Sequence, residues 1–184
     1  MTADYGAPER KFIRPEPGLS VTDGHVVAGY ASVFGKRDQG GDVVQKGAYA
    51  ASLKRLAAGG GRVKMLWQHD PGQPIGVWDE VREDATGLWV KGRILTEIEK
   101  GREVAALLAA GAIDGLSIGY RTVKAERDGK GQRLLSELEL WEVSLVTFPM
   151  LPEARVSAKA EALDDDWRDM AAVFEDARRT LAGQ

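Results

Sequence analysis

Three side chains of this sequence have the types and the order needed to activate a hydroxyl. Ser117 sits in Gly115-Leu116-Ser117-Ile118-Gly119-Tyr120, His69 in Trp67-Gln68-His69-Asp70, and Glu142 in Leu140-Trp141-Glu142-Val143-Ser144. A serine becomes a useful nucleophile when a nearby base takes its proton, and imidazole titrates in the right range. A carboxylate on the far ring nitrogen orients the imidazole and stabilises its cation. Brought together, the three would be the working parts of a serine hydrolase. Each also has a plainer explanation: a strand serine satisfied by the sheet, a packed histidine at a strand end, and a glutamate paired with an arginine or lysine.

The elements around these residues weigh on that choice. Residues 133–148 read as a long strand. On one face lie Leu138, Leu140, Glu142, Ser144, Val146 and Phe148; on the other lie Glu137, Glu139, Trp141, Val143, Leu145 and Thr147. If the first face points inward, Glu142 is a carboxylate among apolar neighbours, and a buried charge without a partner is costly. An imidazole N–H is a suitable partner. Asp70 is a second candidate orienter, although an extended strand turns it away from His69, and Asp114 is a third. Residues 62–69 alternate, with Val63, Met65, Trp67 and His69 on one face, so His69 is expected at the end of a strand that Pro71 and Pro74 close. The other histidine, His25, falls at a turn. Gly115-Leu116-Ser117-Ile118-Gly119 has the letters of a nucleophile elbow, but that device needs a strand before and a helix after. Here a helix precedes and a strand follows, so Ser117 is expected on a strand. Gly119 shares its face and leaves room for a substrate backbone.

Elsewhere the pattern predicts a strand over 26–34, a glycine-rich loop from Gly35 to Asp42, and a helix over 47–58 stopped by Gly59-Gly60-Gly61. The loop lacks the Gly-Lys-Ser/Thr ending of a phosphate loop and reads as a turn, with a place beside a substrate groove as the functional alternative. A hairpin is expected from 75–82 and 87–95, then a helix over 97–110 with Thr96 as N-cap, Gly101 as a weak point and Gly111 at its C-terminal end. Residues 113–123 form the strand of Ser117. Leu163, Trp167, Met170, Phe174, Ala177 and Leu181 alternate spacings of 4 and 3, a heptad seam. Three segments follow: an N-terminal arm over 1–20, a globular domain over 21–158 and a helical tail over 159–184.

Composition narrows the chemistry. The chain has 184 residues, 43% hydrophobic and 29% charged, with a net charge of −3. That balance is ordinary for a globular protein and argues against a dedicated nucleic-acid binder. There are no cysteines and two histidines, so thiol catalysis is excluded and a metal site is not expected. No apolar run reaches the ~20 residues that span a bilayer, and residues 1–11 carry no apolar signal core.

An ordered series of segments adds a resemblance. Gly29-Tyr30-Ala31-Ser32-Val33-Phe34 is followed by Asp38 to Asp42 and Lys46-Gly47-Ala48-Tyr49, then by Leu66-Trp67-Gln68-His69-Asp70 and Pro74-Ile75-Gly76. Gly111 to Tyr120 and Leu140-Trp141-Glu142-Val143-Ser144-Leu145-Val146-Thr147-Phe148-Pro149 complete it. From Gly29 to Ala158 the chain resembles the prohead (procapsid maturation) proteases of tailed bacteriophages, the kind related to the herpesvirus capsid-maturation protease. The resemblance implies an α+β fold, a mostly antiparallel, barrel-like β-sheet with surrounding helices, here followed by the C-terminal heptad helix. It implies His69 as general base, Ser117 as nucleophile and Glu142 in the third position, where the herpesvirus relatives have a second histidine. Those relatives use arginines near the oxyanion; here the first arginine after Glu142 is Arg155, which leaves backbone N–H groups as candidates.

The implied activity is a serine endopeptidase, without cofactor or metal, working in the bacterial cytoplasm inside the assembling procapsid. Its substrate would be the scaffold protein or a scaffold-like segment of the major capsid protein, and also itself. A homodimer and a capsid or scaffold helix bound by the heptad tail are the other implied partners, with no nucleic acid and no membrane. The competing readings are an inactive relative serving as assembly scaffold or chaperone, and an esterase or amidase for small molecules.

Overall fold

A computed structural model describes residues 9–13, 20–38 and 40–147. The heptad tail, Arg155 and the boundary near residue 158 lie outside the described residues, as does most of the N-terminal arm. Eleven elements follow in order: β1 (Glu9–Ile13), β2 (Ser20–Thr22), β3 (Val26–Val33), β4 (Asp42–Val44), α1 (Ala50–Ala58), β5 (Lys64–Trp67), β6 (Asp70–Glu83), β7 (Gly87–Ile94), α2 (Glu99–Ala109), β8 (Gly115–Arg127) and β9 (Arg133–Val146).

The strands make one sheet in the order β1-β8-β9-β5-β6-β7-β3-β2, with β4 added to β9. Every pairing is antiparallel except those of β4 and β5 with β9. The sheet curls until β3 packs near β1 and β8, yet those strands do not pair, so it is a half-barrel with open ends. The expected α+β class holds in that form, with two helices among the described residues.

The curl encloses one core. Val27, Ala31, Met65, Ile75, Leu88, Val90, Ile118, Leu138, Leu140 and Val143 are buried in it, and α1 and α2 cover it with Tyr49, Val104 and Leu108. Along β9 the predicted single inward face is broken. A register shift leaves Trp141 without a partner between Glu142 and Leu140, so Val143 and Leu145 join Leu138 and Leu140 in the core, while Glu142 and Ser144 are buried on the face they share with Ser117 and Gly119. Burial of this apolar area, at about 25 cal/mol per Å2, is the main force holding the sheet curled.

The helices are anchored by polar contacts that sequence periodicity does not reveal. Helix α1 has no side-chain cap of its own; Glu83 of β6 accepts the backbone N–H of Gly47 at 2.6 Å and of Tyr49 at 3.0 Å. Helix α2 begins later than expected, with Ile98 rather than Thr96 at the N-cap. Gly101 has a packing reason. A Cβ there would lie 1.9 Å from the Leu95 carbonyl oxygen, so the helix can pack against the end of β7 only with glycine at this position.

Candidate functional site

The site spans three neighbouring strands, β8, β9 and β5. In register, Ser117 of β8 lies opposite Ser144 of β9, and Gly119 lies opposite Glu142. On the other side of β9, Leu66 of β5 lies opposite Ser144. Two strand spacings separate β5 from β8, roughly 9–10 Å. An imidazole carried just beyond β5 must therefore reach across β9 to meet Ser117.

A tight turn makes that reach possible. Strand β5 stops at Trp67, two residues earlier than the alternation predicts, and His69 is not on a strand. Trp67 pairs with Asp70, and the two residues between have positive φ, 53° at Gln68 and 63° at His69. This is the pattern of a type I′ hairpin turn, usually given to Asn or Gly. For Gln and His it costs on the order of 1 kcal/mol each. Pro71 and Pro74 do not end the strand either. They lie within β6, and two register shifts opposite Met65, Leu66 and Trp67 absorb them.

Bonds to β9 over-determine the turn. The Gln68 N–H donates to the Leu145 carbonyl at 3.0 Å, and Gln68 Nε2 donates to Thr147 Oγ1 at 2.5 Å. The His69 N–H donates to Ser144 Oγ at 3.1 Å. Asp70, one candidate orienter, instead closes the turn by accepting the Gly72 N–H at 2.8 Å and Gln73 Nε2 at 2.8 Å. Backbone strain at a site of this kind persists only because such contacts hold it.

The result brings the three predicted residues together. His69 Nδ1 is 2.5 Å from Glu142 Oε1, and His69 Nε2 is 2.5 Å from Ser117 Oγ. The carboxylate is acceptor-only when ionised, so Nδ1 donates to it; Nε2 then carries the lone pair and accepts from the serine hydroxyl. Ser117 is fully buried, with His69 at 7% and Glu142 at 3% exposure. In such surroundings a charge-assisted bond is strong and an unpaired partner is costly.

Two further residues complete the arrangement. Ser144 Oγ donates to Glu142 Oε2 at 2.6 Å while accepting the His69 N–H, so one hydroxyl ties the carboxylate to the turn. Its signal was in the sequence: it follows Glu142 by two and so shares that residue's face of the strand. Gly119 was expected to make room for substrate; the space is taken by Glu142. A Cβ at 119 would lie 2.1 Å from Glu142 Oε1, 2.6 Å from its Cδ and 2.7 Å from its Cγ. The carboxylate can fold across β8 toward His69 only above a glycine.

The glycine-rich loop lies apart from this site. Gly35 and Gly41 have φ of 70° and 86°, and Asp38 Oδ1 accepts the Asp42 N–H at 2.7 Å, so it is the turn its composition predicts. With Arg127, Lys130 and Arg133 of the β8–β9 hairpin, it lines a cavity of about 630 Å3 that includes none of His69, Ser117 and Glu142.

Comparison with known proteins finds similarity to phage proteases. The family model of the caudovirus prohead serine protease matches residues 14–166. The prohead protease of Enterobacteria phage HK97 is 29% identical over 136 residues, which are 72% of this chain and 59% of that protein. The chain thus spans 59% of the length of the curated relative it matches. The structure of the bacteriophage T4 capsid assembly protease superposes with a TM-score of 0.60 at 15% identity, covering 76% of this chain and 96% of that one. At that identity the likeness concerns the fold.

Proposed function

This chain belongs to the caudovirus prohead serine protease family, and on that premise we propose that it is a serine endopeptidase of procapsid maturation with His69, Ser117 and Glu142 as its catalytic residues. The observation that carries the reading is the continuous bonded line from Glu142 Oε1 through both nitrogens of His69 to Ser117 Oγ, each link 2.5 Å.

In this mechanism His69 Nε2 takes the hydroxyl proton as Ser117 Oγ attacks the scissile carbonyl. The imidazolium that forms is held by Glu142, whose second oxygen Ser144 keeps in place. His69 then returns the proton to the leaving amine, and a water activated in the same way releases the acyl group. Glu142 fixes the tautomer: with Nδ1 donating to the carboxylate, the basic lone pair is always on Nε2. Backbone N–H groups are the candidate stabilisers of the oxyanion.

The substrate class follows from the family: the scaffold protein, or a scaffold-like segment of the capsid protein, inside an immature procapsid in the host cell. The protease itself is a further substrate in this reading, and a homodimer its active form. No helix among the described residues is long and apolar enough to cross a membrane. The full burial of Ser117 is the observation on the side of a silent relative acting as scaffold or chaperone. Co-expression with the phage's capsid protein separates the two. Wild type shortens the capsid protein or scaffold and Ser117→Ala does not; full-length products with both would end the protease reading. Activity per molecule rising with concentration would support the dimer.

A further inference from the structure

The burial of Ser117 raises the question of how a polypeptide reaches it. For attack, a substrate carbonyl must come within ~3–3.5 Å of Oγ. Extended peptides are commonly recognised by adding a strand to an exposed sheet edge, where backbone bonds supply affinity and hold the chain straight. The strand that bears Ser117 has two edges. Strand β9 holds one, with Ser144 opposite Ser117. Strand β1 holds the other, running antiparallel from Glu9 opposite Tyr120 to Ile13 opposite Leu116, with Phe12 opposite Ser117.

The origin of β1 is unusual. Its neighbour in sequence, β2, pairs with β3 at the far end of the sheet. Strand β1 is therefore not placed by a hairpin with the next strand. It has five residues, and β8 is the strand it pairs with. Without it, β8 would be the terminal strand at that end, presenting unpaired N–H and C=O groups directly beside the nucleophile.

We propose that this outer edge of β8 is the binding site for an extended peptide substrate, and that Glu9–Ile13 of the chain itself occupies it in this structure. The N-terminal strand is a resident peptide lying where a substrate must lie, and substrate gains access by displacing it. This inference rests on the protease reading for its meaning, but the docking edge can be tested without catalysis.

The first test uses the full-length chain in a Ser117→Ala background. A second version adds Lys11→Pro and Phe12→Pro, which remove two successive N–H groups and prevent strand pairing. A fluorescein-labelled peptide of residues 8–14 is titrated against both, with anisotropy as the readout. Binding at least tenfold tighter to the proline version is expected, because its own strand no longer competes. Equal binding, or none to a proline version that circular dichroism shows to be folded, would overturn the proposal.

A second test avoids any folding cost of the prolines. The chain has no cysteine, so Lys11→Cys with Ile118→Cys places a single reducible staple between paired residues of β1 and β8. Labelling of Ser117 by a biotinylated fluorophosphonate should be at least tenfold slower in the oxidised form and recover on reduction. Equal rates in the two forms would sink the idea. No labelling in either form, with peptide binding still governed by β1, would refute the protease reading and leave the docking edge standing.

Discussion

Replacing Gly119 by alanine tests the whole geometry of the site with one methyl group. The added Cβ would stand 2.1 Å from Glu142 Oε1 and under 3 Å from two more atoms of that side chain. A comfortable contact needs ~3.5–4.0 Å, so the carboxylate must retreat by more than 1 Å. Its bonds to His69 Nδ1 and Ser144 Oγ are 2.5 and 2.6 Å and do not survive such a shift. Overpacking of this kind costs about 1–3 kcal/mol, a fall in Tm of roughly 2–12 °C for a chain of this size. The effect on reactivity should be larger. A misplacement of 1 Å costs on the order of 10²-fold, and loss of the residue that sets the tautomer about 10⁴-fold. The assay is the rate of Ser117 labelling by a fluorophosphonate, beside the melting curve. Labelling should fall by about 10²–10⁴-fold while the protein stays folded at 25 °C. Gly119→Ala labelling within threefold of wild type would refute the reasoning, since the Glu142 position would then not matter.

Three other expectations follow from the same contacts. Glu142→Gln keeps the volume but removes the charge that stabilises imidazolium, so labelling should drop by about 10²–10⁴-fold; Glu142→Ala should also destabilise, by about 3–5 kcal/mol in urea unfolding, as a buried pair loses one member. Ser144→Ala leaves Glu142 Oε2 and the His69 N–H each short of a bond, a loss of about 1–3 kcal/mol, and should slow labelling about tenfold, whereas Ser144→Thr keeps the hydroxyl and should recover much of that rate. The third concerns pH. Burial pushes the Asp84 carboxyl up, but the Thr86 N–H, the Tyr30 hydroxyl, Arg82 and the Gly87 N–H outweigh it and hold the group down at about 2. A carboxyl lowered on folding adds stability above its unfolded value near 4, and that stability is lost as pH falls toward 2. Wild type should therefore lose Tm more steeply between pH 4 and 2 than Asp84→Asn; parallel acid limbs would show that these bonds do not bear on folding.

What was legible in the sequence was whatever depends on local periodicity and on the cost of burying charge. The alternation along 133–148 set Glu142 on one inward face with Leu138 and Leu140. A register shift at Trp141 turns it instead to the face of Ser117, yet it is buried there, and the expense of a buried carboxylate did imply a partner. The helix before Ser117 and the strand after it excluded the elbow that the letters Gly-x-Ser-x-Gly suggest. The hairpin of β6 and β7 was visible in its apolar runs and its Gly87 turn. His69 was harder. Alternation continued it along a strand, and prolines at 71 and 74 looked like a stop. Nothing local indicates that Gln68 and His69 take positive φ, because neither residue prefers it and the bonds that enforce it come from residues 144, 145 and 147.

Tertiary structure alone decided three things. It decided that the imidazole crosses β9, since this depends on β5 pairing in parallel with a strand some eighty residues later. It decided that the space above Gly119 belongs to Glu142, which is set by the cross-strand register and not by the glycine. And it decided that β1, from the opposite end of the chain, lies against the strand of Ser117. Pairing partners in a sheet are chosen by the global curl and by edges left open, and no window of sequence carries that information. The residues for the chemistry are written along the chain; which of them share a hydrogen bond is settled only when distant strands become neighbours.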